Sequence, residues 1–345
     1  MELSPRKRAI LAAIVSNYIT GGEPIGSKAL CDMLDLHLSS ATLRNEMNDL
    51  CTMGLLEQPH TSAGRVPTLR GYRVYVNDLM HPAKLSSEVR LAIDSTLQTI
   101  ARTPEQMPEM ACQILADLTG LPSFTATVTN ESAKVKRVRL IPMGKRTVLM
   151  VVVSTDGAAK SRIVLSDCTV NEDLLSLFSN ICKVCIVGHR LYELNTAYLQ
   201  SIVARVGDFS LSVMPLLSNL FQLIGEMFEP QLTFRGESKL LSGYRQMPDS
   251  VRLSELISQK EAILSIVSRM EAPVGVIFGD DFGHRIDTTP SCMVVAKYKI
   301  GEKELGRIGV IGSVRLSYEQ LIPSVEYFAQ RLGTLMTKAF KDMED

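Results

Sequence analysis

Long apolar runs are missing from this 345-residue chain: the longest, Ala9–Val15, is seven residues, against the ~20 that a membrane-spanning helix needs. An excess of either charge is missing too. Lysine plus arginine is 37 and aspartate plus glutamate is 37, which excludes a histone-like or tail-driven binder of polyanions but leaves room for a local basic surface. The basic start Arg6-Lys7-Arg8 has neither an adequate apolar stretch nor a small-residue cleavage site after it, so no secretory signal is expected. Cysteines are few and odd in number, seven scattered through the chain, which does not make a disulfide framework. Internal repeats and low-complexity tracts are absent as well. The expectation is a soluble, reduced, cytoplasmic protein. Its 46% hydrophobic and 21% charged residues are ordinary globular usage, and the length exceeds twice the ~150-residue domain prior, so two or three domains are expected.

The first 80 residues contain short helices punctuated by turn chemistry. Ser4 precedes Pro5, a cap followed by a proline that loses no hydrogen bond at a helix start. Gly21-Gly22 stop that helix, and a second spans Ser27–Leu34. Ser39 or Ser40 caps a third, with Leu43, Met47 and Leu50 on one face and Gly54 past its end. Leu55–Glu57 has the makings of a strand, Gln58–Pro67 of a flexible loop or hairpin, and Thr68 caps a helix with the stripe Leu69, Tyr72, Val76 and Leu79. This order predicts a winged helix-turn-helix. His81-Pro82-Ala83 marks a boundary. Beyond it lie two amphipathic helices and strand candidates at Phe124–Thr129, Val135–Ile141, Thr147–Val153 and Arg162–Leu165. The third of these is apolar throughout and should be central. A helical block covers Asn171–Phe228, strands resume at Val274–Phe278, Cys292–Tyr298 and Leu305–Ile311, and a last helix starts at Ser317 with a kink expected at Pro323. Strands on both sides of a helical block predict an α+β domain interrupted by an insertion.

The sharpest functional signal is on the third helix. Opposite Leu43, Met47 and Leu50 lie Ala41, Thr42, Arg44, Asn45 and Asn48, side chains suited to base edges in a DNA major groove. No acidic residue lies between Glu57 and Asp78, whereas Arg65, Arg70 and Arg73 do. That local charge suits a phosphate backbone. Lys28, Ser40, Arg65, Arg70 and Arg73 are the expected backbone contacts, with His60, Thr61, Ser62 and Gly64 at the wing tip. In the helical block, Leu216, Leu217, Leu220, Phe221, Ile224, Met227 and Phe228 cover a face too wide for one surface helix to bury in its own domain. They are expected at a subunit interface.

Three runs, Gly22-Glu23-Pro24-Ile25-Gly26-Ser27-Lys28, Ser39-Ser40-Ala41-Thr42-Leu43-Arg44-Asn45-Glu46-Met47 and Gly54–Thr68, with Gly71-Tyr72-Arg73 after them, closely resemble the heat-inducible transcription repressor family HrcA. Fainter similarity covers Leu216–Ser242 and Leu305–Leu332; the family's usual Gly-Pro-Thr-Arg-Met is here Gly312-Ser313-Val314-Arg315-Leu316. The resemblance implies a homodimeric, non-enzymatic repressor of chaperone operons on an inverted-repeat (CIRCE-type) operator. It also implies a GroEL-type chaperonin that keeps the repressor active. The implied domains are a winged helix at 1–80, a GAF-like domain at 81–170 and 251–345, and a mainly helical dimerisation domain inserted at 171–250. No cofactor or metal is expected.

Other constellations are weaker. Cys182, Cys185 and His189 have half a zinc site's spacing but lack a second pair nearby. Asp280, Asp281, His284 and Asp287 would suit a divalent cation, yet the flanking Gly279 and Gly283 explain them as a turn. Thr61-Ser62-Ala63-Gly64 lacks a nucleophile elbow's first glycine. Two rivals to the repressor remain: a GAF-type regulator that senses a small molecule, and a metallohydrolase built on Asp280–Asp287.

Overall fold

The computed structural model describes residues 3–34, 39–61, 63–100, 106–127, 131–207, 210–239, 249–282, 291–301 and 303–341. The chain forms two compact units, Met1–Ala126 with Leu232–Asp342, and Thr127–Gln231.

The first unit opens with helix α1 (Pro5–Gly21), capped by Ser4 Oγ, which accepts from the Lys7 amide at 3.3 Å. Gly22 ends it at φ 70°, a left-handed conformation that favours glycine. Helices α2 (Ser27–Met33) and α3 (Ser40–Thr52) follow; Ser39 is the α3 cap, accepting from the Thr42 amide at 3.1 Å. Strands β1 (Leu56–Glu57) and β2 (Val66–Pro67) pair antiparallel as a hairpin. Thr68 then starts α4 (Leu69–Val74): its hydroxyl accepts from the Gly71 amide and donates to the Gly54 carbonyl at 2.7 Å. The helix runs on as a π turn, Tyr75–Leu79, so Tyr75 is buried beside Tyr72 while Val76 of the expected stripe is half-buried. Ile10, Leu11, Ile14, Leu30, Leu43, Met47, Leu50, Leu55 and Tyr72 form the core. This is the winged plan the capping and spacing predict. Helices α5 (Ser87–Gln98) and α6 (Met107–Thr119) and strand β3 (Ser123–Thr127) come next.

The second unit starts with a meander, β4 (Val135–Pro142), β5 (Thr147–Ser154) and β6 (Ala159–Leu165), antiparallel with β5 central. Asparagine caps then start two helices. Asn171 holds the Leu174 amide at the head of α7 (Glu172–Cys185), and Asn195 holds the Tyr198 amide at the head of α8 (Thr196–Val206). Helix α9 (Ser210–Phe228) lies against β5, β6, α7 and α8. The unit differs in extent from the insertion expected at 171–250. The strands at 135–165 belong with the helical block, because Val148, Met150, Val152 and Val164 share one core with Phe178, Ile202 and α9.

The expected interface on α9 is corrected by this core. Leu216, Leu217, Leu220 and Ile224 are fully buried within the unit, Phe221 is nearly so, and Met227 and Phe228 pack half-buried against the same cluster. The physical reason is position. A helix enclosed by a sheet and two helices needs a wide apolar face, whereas a surface helix does not.

Back in the first unit come β7 (Leu232–Arg235), α10 (Asp249–Ser258), α11 (Lys260–Arg269), β8 (Val274–Phe278), β9 (Ser291–Ile300), β10 (Lys303–Ser313) and α12 (Tyr318–Lys341). They complete a five-stranded sheet in the order β7-β3-β10-β9-β8. Alternation along β9 serves two cores: Val294, Ala296 and Tyr298 meet Val325, Phe328 and Leu332 of α12, whereas Met293 and Val295 meet Leu256, Ile263 and Val267. Gly312 and Ser313, within the block that departs from the family pattern, continue the ladder opposite Cys292 and Ser291. Helix α12 passes unbroken through Pro323. The carbonyl that this proline has no amide to meet, on Glu319, instead accepts from the Ala83 amide at 2.8 Å. Among the described residues no helix is long and apolar enough to cross a membrane.

Candidate nucleic-acid interface

Helix α3 buries Leu43, Met47 and Leu50 and turns Ala41, Arg44, Asn45 and Asn48 outward. Arg44 and Asn45 have no side-chain partner among the described residues, so their donors face solvent. Thr42 is half-buried and its hydroxyl lies 2.9 Å from Ser39 Oγ, which makes it part of the cap and less of a reading residue. The heads of α2 and α3 meet where Ser27 and Ser40 share a 3.0 Å hydrogen bond, and exposed Lys28 sits beside them.

The hairpin between β1 and β2 is pinned at its base and shaped at its tip. Ile25 and Arg65 exchange backbone hydrogen bonds of 3.2 and 2.8 Å, so residue 25 adds a third strand position to the wing. Only glycine fits at position 64, where a Cβ would lie 2.3 Å from the Ile25 carbonyl. Gln58 Nε2 donates to the carbonyls of Thr61 and Ala63, and the Ala63 amide donates to His60. This turn presents His60 and Thr61 to solvent. Ser62 lies outside the described residues.

The three wing-side arginines do not act together. Arg65 Nη2 donates to Asn48 Oδ1 at 2.7 Å, joining the wing to α3. Arg70 is exposed but sits at the far end of α3, where it reaches the Met53 carbonyl at 3.4 Å. Arg73, an expected backbone contact, is committed elsewhere. Its Nη2 lies 2.7 Å from Asp280 and 3.1 Å from Asp281, with the guanidinium 5.0 Å above the Phe278 ring. A carboxylate pair neutralises the charge that a phosphate would need, so the structure does not bring Arg73 to this face.

The same contact bears on the metal alternative. Asp280 and Asp281 hold a guanidinium, which competes with a divalent cation for the same oxygens; His284 and Asp287 lie outside the described residues. Among the described residues no group of His, Cys, Asp and Glu is placed to hold a metal. Cys182 is buried, its thiol pushed up to about 12 by desolvation, and His189 Nε2 is 3.2 Å from Tyr198 Oη.

Sequence spacing gave no sign of how the acidic residues of α3 are managed. Lys7 Nζ lies 2.7 Å from Glu46 and 2.9 Å from Asp49, and Arg6 lies 3.3 Å from Glu46. Hydrogen bonds to Asp49 and then Glu46 hold the Lys7 ammonium above its ordinary pKa. The basic start of α1 thus cancels charge that would repel phosphates. The signal was a run of three basic residues with no partner in its own helix.

A capped recognition helix, a short helix before it and a pinned hairpin define a winged helix-turn-helix DNA-binding regulator. Residues 2–80 match the family model for the winged helix-turn-helix transcription repressor, HrcA DNA-binding, and residues 105–322 match that for the HrcA protein C terminal domain. The heat-inducible transcription repressor HrcA of Desulforudis audaxviator is 30% identical over 347 residues, 99% of this chain and 100% of that protein. That of Clostridium tetani is 30% identical over 342 residues, covering 97% and 96%. A crystal structure described as a hypothetical protein shares the fold, with TM-score 0.59 at 24% identity over 98% of this chain and 100% of that one. The chain belongs to the HrcA family of heat-inducible transcription repressors. Its family is one of non-enzymatic, DNA-binding repressors of heat-shock genes.

Proposed function

We propose that this chain represses chaperone operons in the cytoplasm by occupying an inverted-repeat operator as a homodimer. One observation carries the reading: Ala41, Arg44, Asn45 and Asn48 form a single exposed stripe opposite the buried Leu43, Met47 and Leu50. Arg44 and Asn45 read base edges, Lys28 and Ser40 meet phosphates at the helix heads, and His60–Gly64 lies along the flanking backbone. Mobility-shift titration of the DNA upstream of the chaperone genes tests it. Asn45→Ala should cost ~1–3 kcal/mol on the operator alone, and unchanged operator binding by that variant overturns the assignment.

The homodimer has a better surface than α9. Across the outer face of the three-stranded sheet, Ile141, Leu149 and Ile163 stand in register, with Leu165 beside them. Ile163 and Leu165 are 65% and 67% exposed. An apolar cluster of this kind on a sheet face favours association, and two half-sites require two copies.

The chaperonin dependence is supported by chain order. The sheet of the first unit pairs β3 with β7 from either side of a 105-residue unit, Thr127–Gln231, and such non-local pairing folds slowly through exposed intermediates. Repressor diluted from denaturant should regain operator binding further with a GroEL-type chaperonin, its cochaperonin and ATP. Recovery indifferent to these additions, and to a competing unfolded client, favours direct thermal unfolding of the dimer instead. The five-stranded sheet with helices on both faces is the part we assign as GAF-like.

A further inference from the structure

Asn48 stands on the exposed stripe of α3, but unlike Arg44 and Asn45 it is already bound. Its Oδ1 accepts from Arg65 Nη2 at 2.7 Å. An arginine side chain has donors only, so whatever faces it must be the amide oxygen. The choice of amide orientation is thereby fixed by chemistry, and Nδ2 is turned away from the wing. The backbone of Arg65 is fixed at the base of the wing. It is held on both sides by Ile25, through bonds of 3.2 and 2.8 Å, and the adjacent Gly64 is pressed against the Ile25 carbonyl.

We infer that Arg65 is a positioning residue that sets which bases Asn48 reads. The inference rests on the operator-binding reading above. An unrestrained asparagine pairs with adenine in two directions, accepting from N6 and donating to N7. The guanidinium takes one lone pair of the amide oxygen and holds that oxygen on the wing side, so Asn48 turns its Nδ2 donors to the groove. Those fit base edges that present acceptors, guanine O6 and N7 or thymine O4, and they give up the adenine pairing. Arg65 therefore acts on sequence preference through Asn48, which is a different role from neutralising a phosphate. The two roles have different signatures. A phosphate contact contributes equally to all sequences and adds about one unit to the salt slope, whereas a positioning contact changes the preferred base at one step of the site.

The test is selection from a randomised DNA duplex library with the full-length protein, followed by titration of the enriched duplexes at several salt concentrations. The wild type should enrich guanine or thymine at one position in each half-site, and Asn48→Ala should abolish the preference there and nowhere else. Arg65→Ala should move that position toward adenine by roughly tenfold, because both ends of the Asn48 amide become available. Arg65→Lys, which keeps a donor, should restore guanine or thymine. Asn48→Asp, tested with Arg65 in place, turns an acceptor to the groove and should shift the position toward cytosine or adenine. It guards against an Arg65 variant whose wing fails to fold. If Arg65→Ala keeps the wild-type sequence preference and only weakens every duplex with a smaller salt slope, Arg65 is a phosphate contact and the inference is overturned. An adenine preference at the Asn48 position in the wild type overturns it as well. If the wild type enriches no sequence at all, the operator-binding reading falls first and takes the inference with it.

Discussion

Truncating Leu220 separates a core residue from an interface residue. Leu220 is 0% exposed within the second unit, on a helix enclosed by β5, β6, α7 and α8. Leu220→Ala removes three carbons, about 2.4 kcal/mol of transfer free energy at ~0.8 kcal/mol each. The cavity left behind raises the cost to roughly 3–5 kcal/mol, because surroundings this dense relax only in part. With a urea slope of roughly 2 kcal/mol/M, the midpoint for this unit should fall by about 1.5–2.5 M. Ile163→Asp is the counterpart. Ile163 is 65% exposed on the outer sheet face, so the monomer should lose no more than ~0.5 kcal/mol, a midpoint shift of about 0.25 M at the same slope. Across a two-fold contact, however, the same change places a carboxylate in an apolar interface and should split the dimer. Circular dichroism in urea and sedimentation velocity on the same samples read the two effects separately. A Leu220→Ala protein with an unshifted midpoint and a split dimer would return Leu220 to the interface and refute the reasoning.

Three further outcomes are expected. Arg73→Ala should leave the salt slope of DNA binding unchanged, since Asp280 and Asp281 already neutralise that guanidinium; a slope smaller by about one unit would show Arg73 on a phosphate. Lys7→Met should weaken DNA binding most at low salt, because Glu46 and Asp49 lose the cation that cancels them; the salt titration checks this, and an unchanged low-salt affinity refutes it. Stability should decline as pH rises beyond about 10. Lys7 is raised above its ordinary 10.5, so its contribution is complete below that pH and lost as pH climbs through the raised value, while burial holds the Tyr72 and Tyr75 phenols neutral well above 10.0 and the unfolded chain ionises first. Part of the tyrosinate absorbance should therefore appear only together with unfolding; full ionisation of a still-folded protein contradicts it.

Much of the DNA-binding end was legible because its determinants are local. Leu43, Met47 and Leu50 at helical spacing assign the hidden face of α3, and so assign Arg44, Asn45 and Asn48 to the open one. Ser4, Ser39 and Thr68 cap their helices through bonds spanning three residues. Charge was less informative. Arg65, Arg70 and Arg73 look alike in a window free of acidic residues, but the partner of Arg73 lies more than two hundred positions away, at Asp280 and Asp281. The unbroken passage of α12 through Pro323, where a kink was expected, was hidden for the same reason, since the amide that satisfies the Glu319 carbonyl belongs to Ala83.

The misplaced interface shows what an apolar face does and does not say. Seven large side chains on α9 state that the helix is covered, and nothing in their spacing tells whether the cover is its own chain or another. Strand β5 held the more useful clue. Val148, Met150 and Val152 point into the core with α9, but Leu149, Val151 and Val153 between them are apolar as well. A strand apolar on both faces expects two covers. Its own unit supplies one of them. On the other side, Ile141 and Ile163 flank Leu149 and remain exposed. The strand whose pattern was read only as central is thus the ground for the proposed second copy, and α9, expected to need a partner, is covered within its own unit.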